Sequence, residues 1–186
     1  MVLKCHALRR LVISINKSLC FTGHRPEKLK GYNVGDNLDL IYKLKDVIVD
    51  YIENKGVTTF ISGMALGIDM WSARIIIALK ESTHPHIKLV SAIPCDKQYA
   101  VWKDQKSIDE WHYVVSNADV VHYVSEEPYT PWCLQKRNEW MVDNANYIIS
   151  VWDGTTGGTY NCIKYARKFD KNILNINPNT LELSNV

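Results

Sequence analysis

The sequence predicts an α/β fold with a mostly parallel sheet of about six strands and helices on both faces. Two observations carry that prediction. Short apolar, β-branched runs alternate with longer stretches of helical periodicity from Ser18 onward, and several runs stop at a Gly- or Pro-bearing junction that leads into the next helical stretch. Parallel strands need crossover connections, usually helices, and this alternation supplies them. The first run is Leu19-Cys20-Phe21-Thr22, stopped by Gly23. A helix follows over about 38–54, where Leu40, Ile41, Leu44, Val47, Ile48 and Tyr51 recur at i, i+3, i+4 spacing. Thr59–Ser62 is the second strand, and a helix covers about 68–80. Ile87–Ala92 is the third strand, ended near Pro94, with a helix over 105–116. Val120–Val124, a helix near 134–144, Tyr147–Trp152, a helix over 159–169 and Ile173–Ile176 complete the series. The arrangement is a Rossmann-like three-layer sandwich, in which ligands bind outside the carboxyl ends of the strands.

The 186 residues suffice for one domain with a single substantial core. Residues 18–186 are expected to be that domain, and residues 1–17 an N-terminal extension peripheral to function. The extension is basic and mildly apolar, but its apolar stretch (Leu11 to Ile15) is too short for a signal peptide. No run of about 18 apolar residues exists, so no membrane span is expected. The net charge is +2, from 22 Lys+Arg against 20 Asp+Glu. Such a chain has no bulk field to draw it onto nucleic acid or anionic lipid, so nucleic acid is not an expected partner and an anion must be bound locally. The five cysteines are odd in number and form no CxxC pair, which fits a reduced, cytoplasmic setting. His84-Pro85-His86 lacks further ligands, so no metal site is expected.

Four strand-to-helix junctions concentrate the unusual residues. They are TGHRPEKL (Thr22 to Leu29), SGMALGID (Ser62 to Asp69), IPCDKQ (Ile93 to Gln98) and DGTTGGT (Asp153 to Thr159). Glycine lets backbone N–H groups approach a ligand closely, and a helix N-terminus adds unpaired donors and partial positive charge. Together they favour phosphate. GxGxxG and GxxxxGK[ST] are both absent, which removes support for ordinary NAD binding and Walker-type hydrolysis. No resident cofactor is expected.

TGHRP, SGMALGID, the Arg137-Asn138-x-x-Met141-Val142-Asp143 segment and DGTTGGT occur in an order that resembles the SLOG superfamily of Rossmann-like proteins, and most closely its YpsA-like branch. The likeness covers about residues 18–176. SGMALGID also resembles a stretch of the DprA/Smf DNA-processing proteins, and RNxxMVD followed by GGT resembles a region of LOG-type phosphoribohydrolases. The resemblance implies a nucleotide-derived ligand: a nucleoside monophosphate, a nucleotide sugar or an ADP-ribose-like molecule. It implies that Gly157, Gly158 and Thr159 cradle phosphate and that Arg137 faces the site. It also implies self-association. Where the LOG pattern places its catalytic Glu, this chain has Cys162, which cannot replace a carboxylate in stabilising an oxocarbenium-like sugar or activating water.

The expected ligand-binding residues fall on these junctions: Thr22, Gly23, His24 and Arg25; Ser62, Gly63, Met64, Ala65, Gly67 and Asp69; Pro94; Arg137; and Asp153, Gly154, Gly157, Gly158 and Thr159. Arg137, Asp153 and Asp69 are the candidates for any catalytic role. Several have an equally plain alternative. Arg25 is a bidentate phosphate clamp or a surface arginine. His24 is a general acid/base or a hydrogen-bonded structural histidine. Asp69 holds a ribose hydroxyl or favours its helix dipole. Cys95 has no recognisable partner base and reads as a packing residue. Trp71, Trp111 and Trp140 read as core or interface anchors, while Trp102 and Trp132 lie near the crevice, where an aromatic face can stack on a base. Trp152 is the expected pocket wall.

The expected function is binding of a nucleotide-derived small molecule as a sensor, regulator or sequestering protein. A LOG-like phosphoribohydrolase is the alternative, and a DprA-like DNA-binding protein the second. Gly158→Glu and Arg137→Ala are each expected to abolish binding with the fold intact.

Overall fold

The computed structural model describes residues 17–125 and 129–186. The expected extension lies outside them except for Lys17, whose carbonyl already accepts from the Thr58 N–H at 3.0 Å, so the sheet ladder begins one residue inside that boundary. The elements run β1 (Ser18–Gly23), α1 (Leu38–Lys55), β2 (Thr59–Ser62), α2 (Ile68–Ser82), β3 (Lys88–Ile93), α3 (Gln105–Asn117), β4 (Val120–Tyr123), α4 (Pro131–Asp143), β5 (Tyr147–Val151), α5 (Gly158–Arg167), β6 (Asn172–Ile176) and β7 (Leu183–Asn185). Every helix and strand read from periodicity is present, with ends shifted by a few residues. α4 begins earlier than its apolar pattern, because Pro131 suits a first helical turn and the Thr130 hydroxyl accepts from the Cys133 N–H at 3.3 Å.

One strand is additional. β7 pairs antiparallel with β6, Ile176 opposite Leu183, so the sheet has seven strands in the order β4-β3-β2-β1-β5-β6-β7. All three β7 residues are exposed, so no buried face leaves an apolar alternation to read. The other neighbours in the sheet are parallel.

Strand periodicity divides the interior into two layers. Leu19, Phe21, Phe60 and Leu89 point to one face, where they pack with Leu44, Ile48, Ile76 and Trp111 of α1–α3. Cys20, Ile61, Val90 and Ile148 point to the other, against Met141, Val142, Cys162 and Ile163 of α4 and α5. The Phe21 and Phe60 rings lie 6.1 Å apart within the first layer. Truncating such a fully buried ring to Ala costs about 3–5 kcal/mol.

The strand order positions the site. The chain winds outward from β1 through β2 and β3 to β4, then returns to place β5 on the opposite side of β1. The loops after β1 and β5 therefore diverge to opposite faces and leave a crevice between them, the topological switch point of an open α/β sheet.

Candidate functional site

A cavity of about 350 Å³ opens at that switch point. The loop after β1 supplies Thr22, Gly23, His24, Arg25, Glu27 and Lys28. The β5–α5 loop supplies Thr155–Thr159, the β2–α2 loop Ala65 and Asp69, and α4 supplies Leu134, Arg137 and Asn138.

Arg137 is 5% exposed and organises one wall. Its Nη1 donates to the Gly63 carbonyl and lies 3.5 Å from Asp69 Oδ2, and its Nε donates to Asn138 Oδ1 at 3.0 Å. Nη2 has no hydrogen-bond partner among the described residues and remains available on the cavity wall. Gly63 is required for this contact: a Cβ there would stand inside the guanidinium and 2.7 Å from Asp69 Oδ2. Burial pushes the Asp69 carboxyl above its ordinary range, opposed by Arg137 and by the Ala65 N–H, which donates to Oδ2 at 3.3 Å. Gly67 begins α2 at φ +88, and a Cβ there would meet the His24 carbonyl at 2.7 Å. Only glycine allows the β1 and β2 loops to approach so closely.

The β1 and β5 loops are joined by side chains. His24, 4% exposed, contacts Asp153 Oδ1 through Nε2 at 2.7 Å. Burial raises the Asp153 carboxyl, but hydrogen bonds from the Thr155 hydroxyl and N–H and from His24 outweigh it and hold the group well below the ordinary carboxylate range. Asp153 is therefore an acceptor, and its backbone N–H also reaches His24 Nε2 at 3.3 Å, so the two residues are joined twice. Lys28 Nζ donates to Thr155 Oγ1 at 2.8 Å and to the Thr156 carbonyl at 3.0 Å, pinning the glycine loop from the β1 side.

Gly157 precedes α5 and offers it no side-chain cap, which leaves the first N–H groups of the helix unpaired at the cavity wall. The Thr159 hydroxyl is beside them, on a side chain 8% exposed and unpartnered among the described residues. Arg25 stands exposed at the mouth. The wall thus presents backbone donors, a hydroxyl and cationic side chains to one small volume, an arrangement suited to an anion.

The expected residues divide accordingly. Thr22, Gly23, His24, Arg25, Ala65, Asp69, Arg137, Gly157, Gly158 and Thr159 meet on the cavity. Ser62, Gly63, Met64 and Gly67 build the β2 loop behind it: the Ser62 hydroxyl donates to the Asp69 carbonyl at 2.9 Å and accepts from the Met64 N–H at 3.2 Å. Pro94 is buried beyond β3 and stands back from the cavity. Asp153 acts through His24, and Gly154, at φ +96, turns the loop. Trp152 braces this loop from outside rather than forming the wall, with Nε1 donating to the Thr155 carbonyl at 2.6 Å and its ring stacked on Tyr160. Trp132 is 74% exposed, and Trp102 borders an adjoining cavity. Glu27, Lys28, Leu134, Asn138, Thr155 and Thr156 belong to the wall as well. The TGHRPEKL and DGTTGGT strings hold four of them, Glu27, Lys28, Thr155 and Thr156, beside the residues expected there.

The thiols are structural. Cys162 lies buried in α5 beneath the site, its thiol pushed up to about 11 by burial against a hydrogen bond from Thr22. Cys95 and Cys133 are buried 3.5 Å apart, and burial with the neighbouring thiol pushes Cys95 up to about 12. Neither suits a nucleophile. Among the described residues no group of three or more His, Cys, Asp or Glu is placed to hold a metal ion, and no helix is long and apolar enough to cross a membrane.

Fold and crevice define a Rossmann-like domain of the switch-point type. Residues 19–181 match the YpsA family, described as the YspA SLOG family, and the chain belongs to it. It is 37% identical over 141 residues to the SPbeta prophage-derived protein YoqJ of Bacillus subtilis, covering 70% of this chain and 82% of that protein. A UPF0398 protein of Brevibacillus brevis is 30% identical over 146 residues, covering 77% of this chain and 76% of the relative. Among solved structures, DNA processing protein A from Helicobacter pylori, described in its single-stranded DNA binding mode, superposes with a TM-score of 0.58 at 16% identity over 88% of this chain. DprA from Streptococcus pneumoniae gives 0.59 at 17% identity over 89%. The chain spans 66% and 52% of those two structures. Their likeness is one of fold, and it lends nothing to the expectation that nucleic acid is not a partner.

Proposed function

We propose that the crevice between the β1 and β5 loops binds the phosphate of a nucleotide-derived small molecule, and that the protein acts as a sensor, regulator or sequestering protein for it. One observation carries this reading: the uncapped start of α5, the unpartnered Thr159 hydroxyl and the free edge of the buried Arg137 guanidinium converge on one cavity. Charge-assisted bonds from a fixed guanidinium and backbone N–H groups suit a phosphate and need almost no net molecular charge. Calorimetric titration with AMP, ADP-ribose and a nucleotide sugar tests it. Wild-type protein binds at least one of them, and Gly158→Glu, which puts a carboxylate at the start of α5 where there is open space, binds none while melting like wild type. No binding of any by wild type, or equal affinity in the variant, defeats the reading.

A second reading rests on the ionisable groups of the same wall. Asp69, whose carboxyl burial raises, and His24, bonded to Asp153, are two proton-transfer groups placed on one cavity. They suit hydrolysis of an N-glycosidic bond, in which water adds across C1′–N to release the free base and a 5-phosphosugar. Chromatography of nucleoside monophosphates incubated with the protein tests it. Release of base that His24→Ala and Asp69→Asn each abolish supports turnover, and release at the uncatalysed rate leaves a binder.

A further inference from the structure

The phosphate cavity does not end at Glu27. A second cavity of about 580 Å³ shares Arg25, Glu27, Ala65 and Leu134 with it and extends toward the β3–α3 loop. The two volumes form one cleft with a neck at those residues. Their chemistry differs. The inner volume carries Arg137, Lys28 and the first turn of α5, whereas the outer one adds aromatic surface from Trp102, Tyr129 and Tyr32 beside the charged Lys103 and Asp104. Trp102 is half-buried and, unlike Trp111, Trp140 and Trp152, meets no other aromatic ring among the described residues. Tyr32, Tyr129 and Val101 are exposed around it, an apolar patch on the rim of a cavity.

The neck carries a carboxylate. The Tyr32 hydroxyl donates to one Glu27 oxygen, fixing the side chain at the junction and leaving the other oxygen unused. A carboxylate repels phosphate, so Glu27 marks where the anionic part of a ligand ends. It is an acceptor suited to the vicinal hydroxyls of ribose. A nucleotide presents phosphate, sugar and ring in the order in which this cleft presents cations, carboxylate and aromatic wall.

Building on the phosphate reading above, we infer that the ligand is a ribonucleotide: its flat ring lies in the outer cavity against Trp102 and Tyr129, and its 2′,3′-diol donates to Glu27 at the neck. The ring is held by stacking more than by its edges. Gln98, the amide side chain of the outer cavity, is already committed, with Nε2 to the Met64 carbonyl at 3.0 Å and Oε1 to Trp111 Nε1 at 3.4 Å. Asp104 is taken up in capping α3. Purines are therefore favoured over pyrimidines by stacking area. The 2′-hydroxyl is the feature that separates ribonucleotides from DNA, so the neck selects against deoxynucleotides.

The test is a calorimetric titration of the full chain with ribose 5-phosphate, AMP, 2′-deoxy-AMP and a single-stranded oligo(dT). AMP is expected to bind at least tenfold more tightly than ribose 5-phosphate, in keeping with the value of one stacked base, and more tightly than 2′-deoxy-AMP. Trp102→Ala and Tyr129→Ala each weaken AMP about tenfold and leave ribose 5-phosphate unchanged, which also reports an intact fold. Glu27→Gln narrows the gap between AMP and its deoxy analogue. Equal affinities for AMP and ribose 5-phosphate, unmoved by either aromatic substitution, overturn the ring subsite while the phosphate site stands. Equal affinities for AMP and 2′-deoxy-AMP overturn the role of Glu27, and oligo(dT) binding tighter than AMP and lost in Trp102→Ala overturns the ribonucleotide assignment. No binding of any phosphate compound is the different failure, that of the phosphate site itself.

Discussion

Gly63 and Gly158 are both glycines of phosphate-type loops, yet they have different work. Gly63 yields its Cβ space to Arg137, whereas Gly158 faces open space at the start of α5. Gly63→Ala is therefore expected to displace the guanidinium, costing about 1–3 kcal/mol of stability and weakening ligand binding, while Gly158→Ala does neither; thermal melting with titration of AMP separates the two. Arg137→Ala is expected to fold with lower stability, because it removes the guanidinium beside the buried Asp69. A broken buried pair costs about 3–5 kcal/mol, read as a lower denaturant midpoint. Asp153 gives a pH prediction. Its carboxyl is lowered in the folded state, so the stability it contributes is full above about pH 4 and is lost as pH falls toward the folded value. Asp153→Asn flattens that part of the acid limb, measured as urea midpoints between pH 5 and pH 2, and an unchanged limb contradicts the Thr155 and His24 bonds that hold Asp153 ionised. Asp69 runs in the opposite sense, since burial raises its carboxyl and favours the fold at the acid end. Sequence carries the glycines and Arg137 in recognisable strings. It does not carry Glu27 or Lys28, because a single charged residue looks like any solvated surface residue until the loop it bonds to is in place.

At the scale of elements, α4 delivers Leu134, Arg137 and Asn138 to the cavity from one helix face, and its start is fixed by Thr130. Thr130→Ala removes that cap at a cost of about 1 kcal/mol, expected as a fall of about 2–4 °C in melting temperature. No change in melting temperature shows the cap to be dispensable. The same start was hidden in the apolar pattern, which begins only at Leu134, although Thr130-Pro131 carries the capping chemistry. Strands β1, β2, β3 and β5 were legible because they are buried on both faces and read as continuous apolar runs. β7 was not, since an exposed three-residue edge strand leaves no hydrophobic period. Trp152 was misplaced for a related reason: its position at the end of β5 is visible in sequence, but the direction of its ring depends on Thr155 and Tyr160 folding beneath it.

For the whole molecule, the order β4-β3-β2-β1-β5-β6-β7 places the crevice between the β1 and β5 loops. The cleft concentrates its donors at one end and its aromatic surface at the other. The central claim is therefore one of location, and amide chemical-shift mapping tests it most directly. Titrating AMP into ¹⁵N-labelled protein is predicted to move the amides of residues 23–25, 27–28, 65, 137–138 and 155–159, with those near Trp102 following and β6 and β7 unmoved. Saturable shifts confined to other surfaces, or no shifts at millimolar AMP, contradict it.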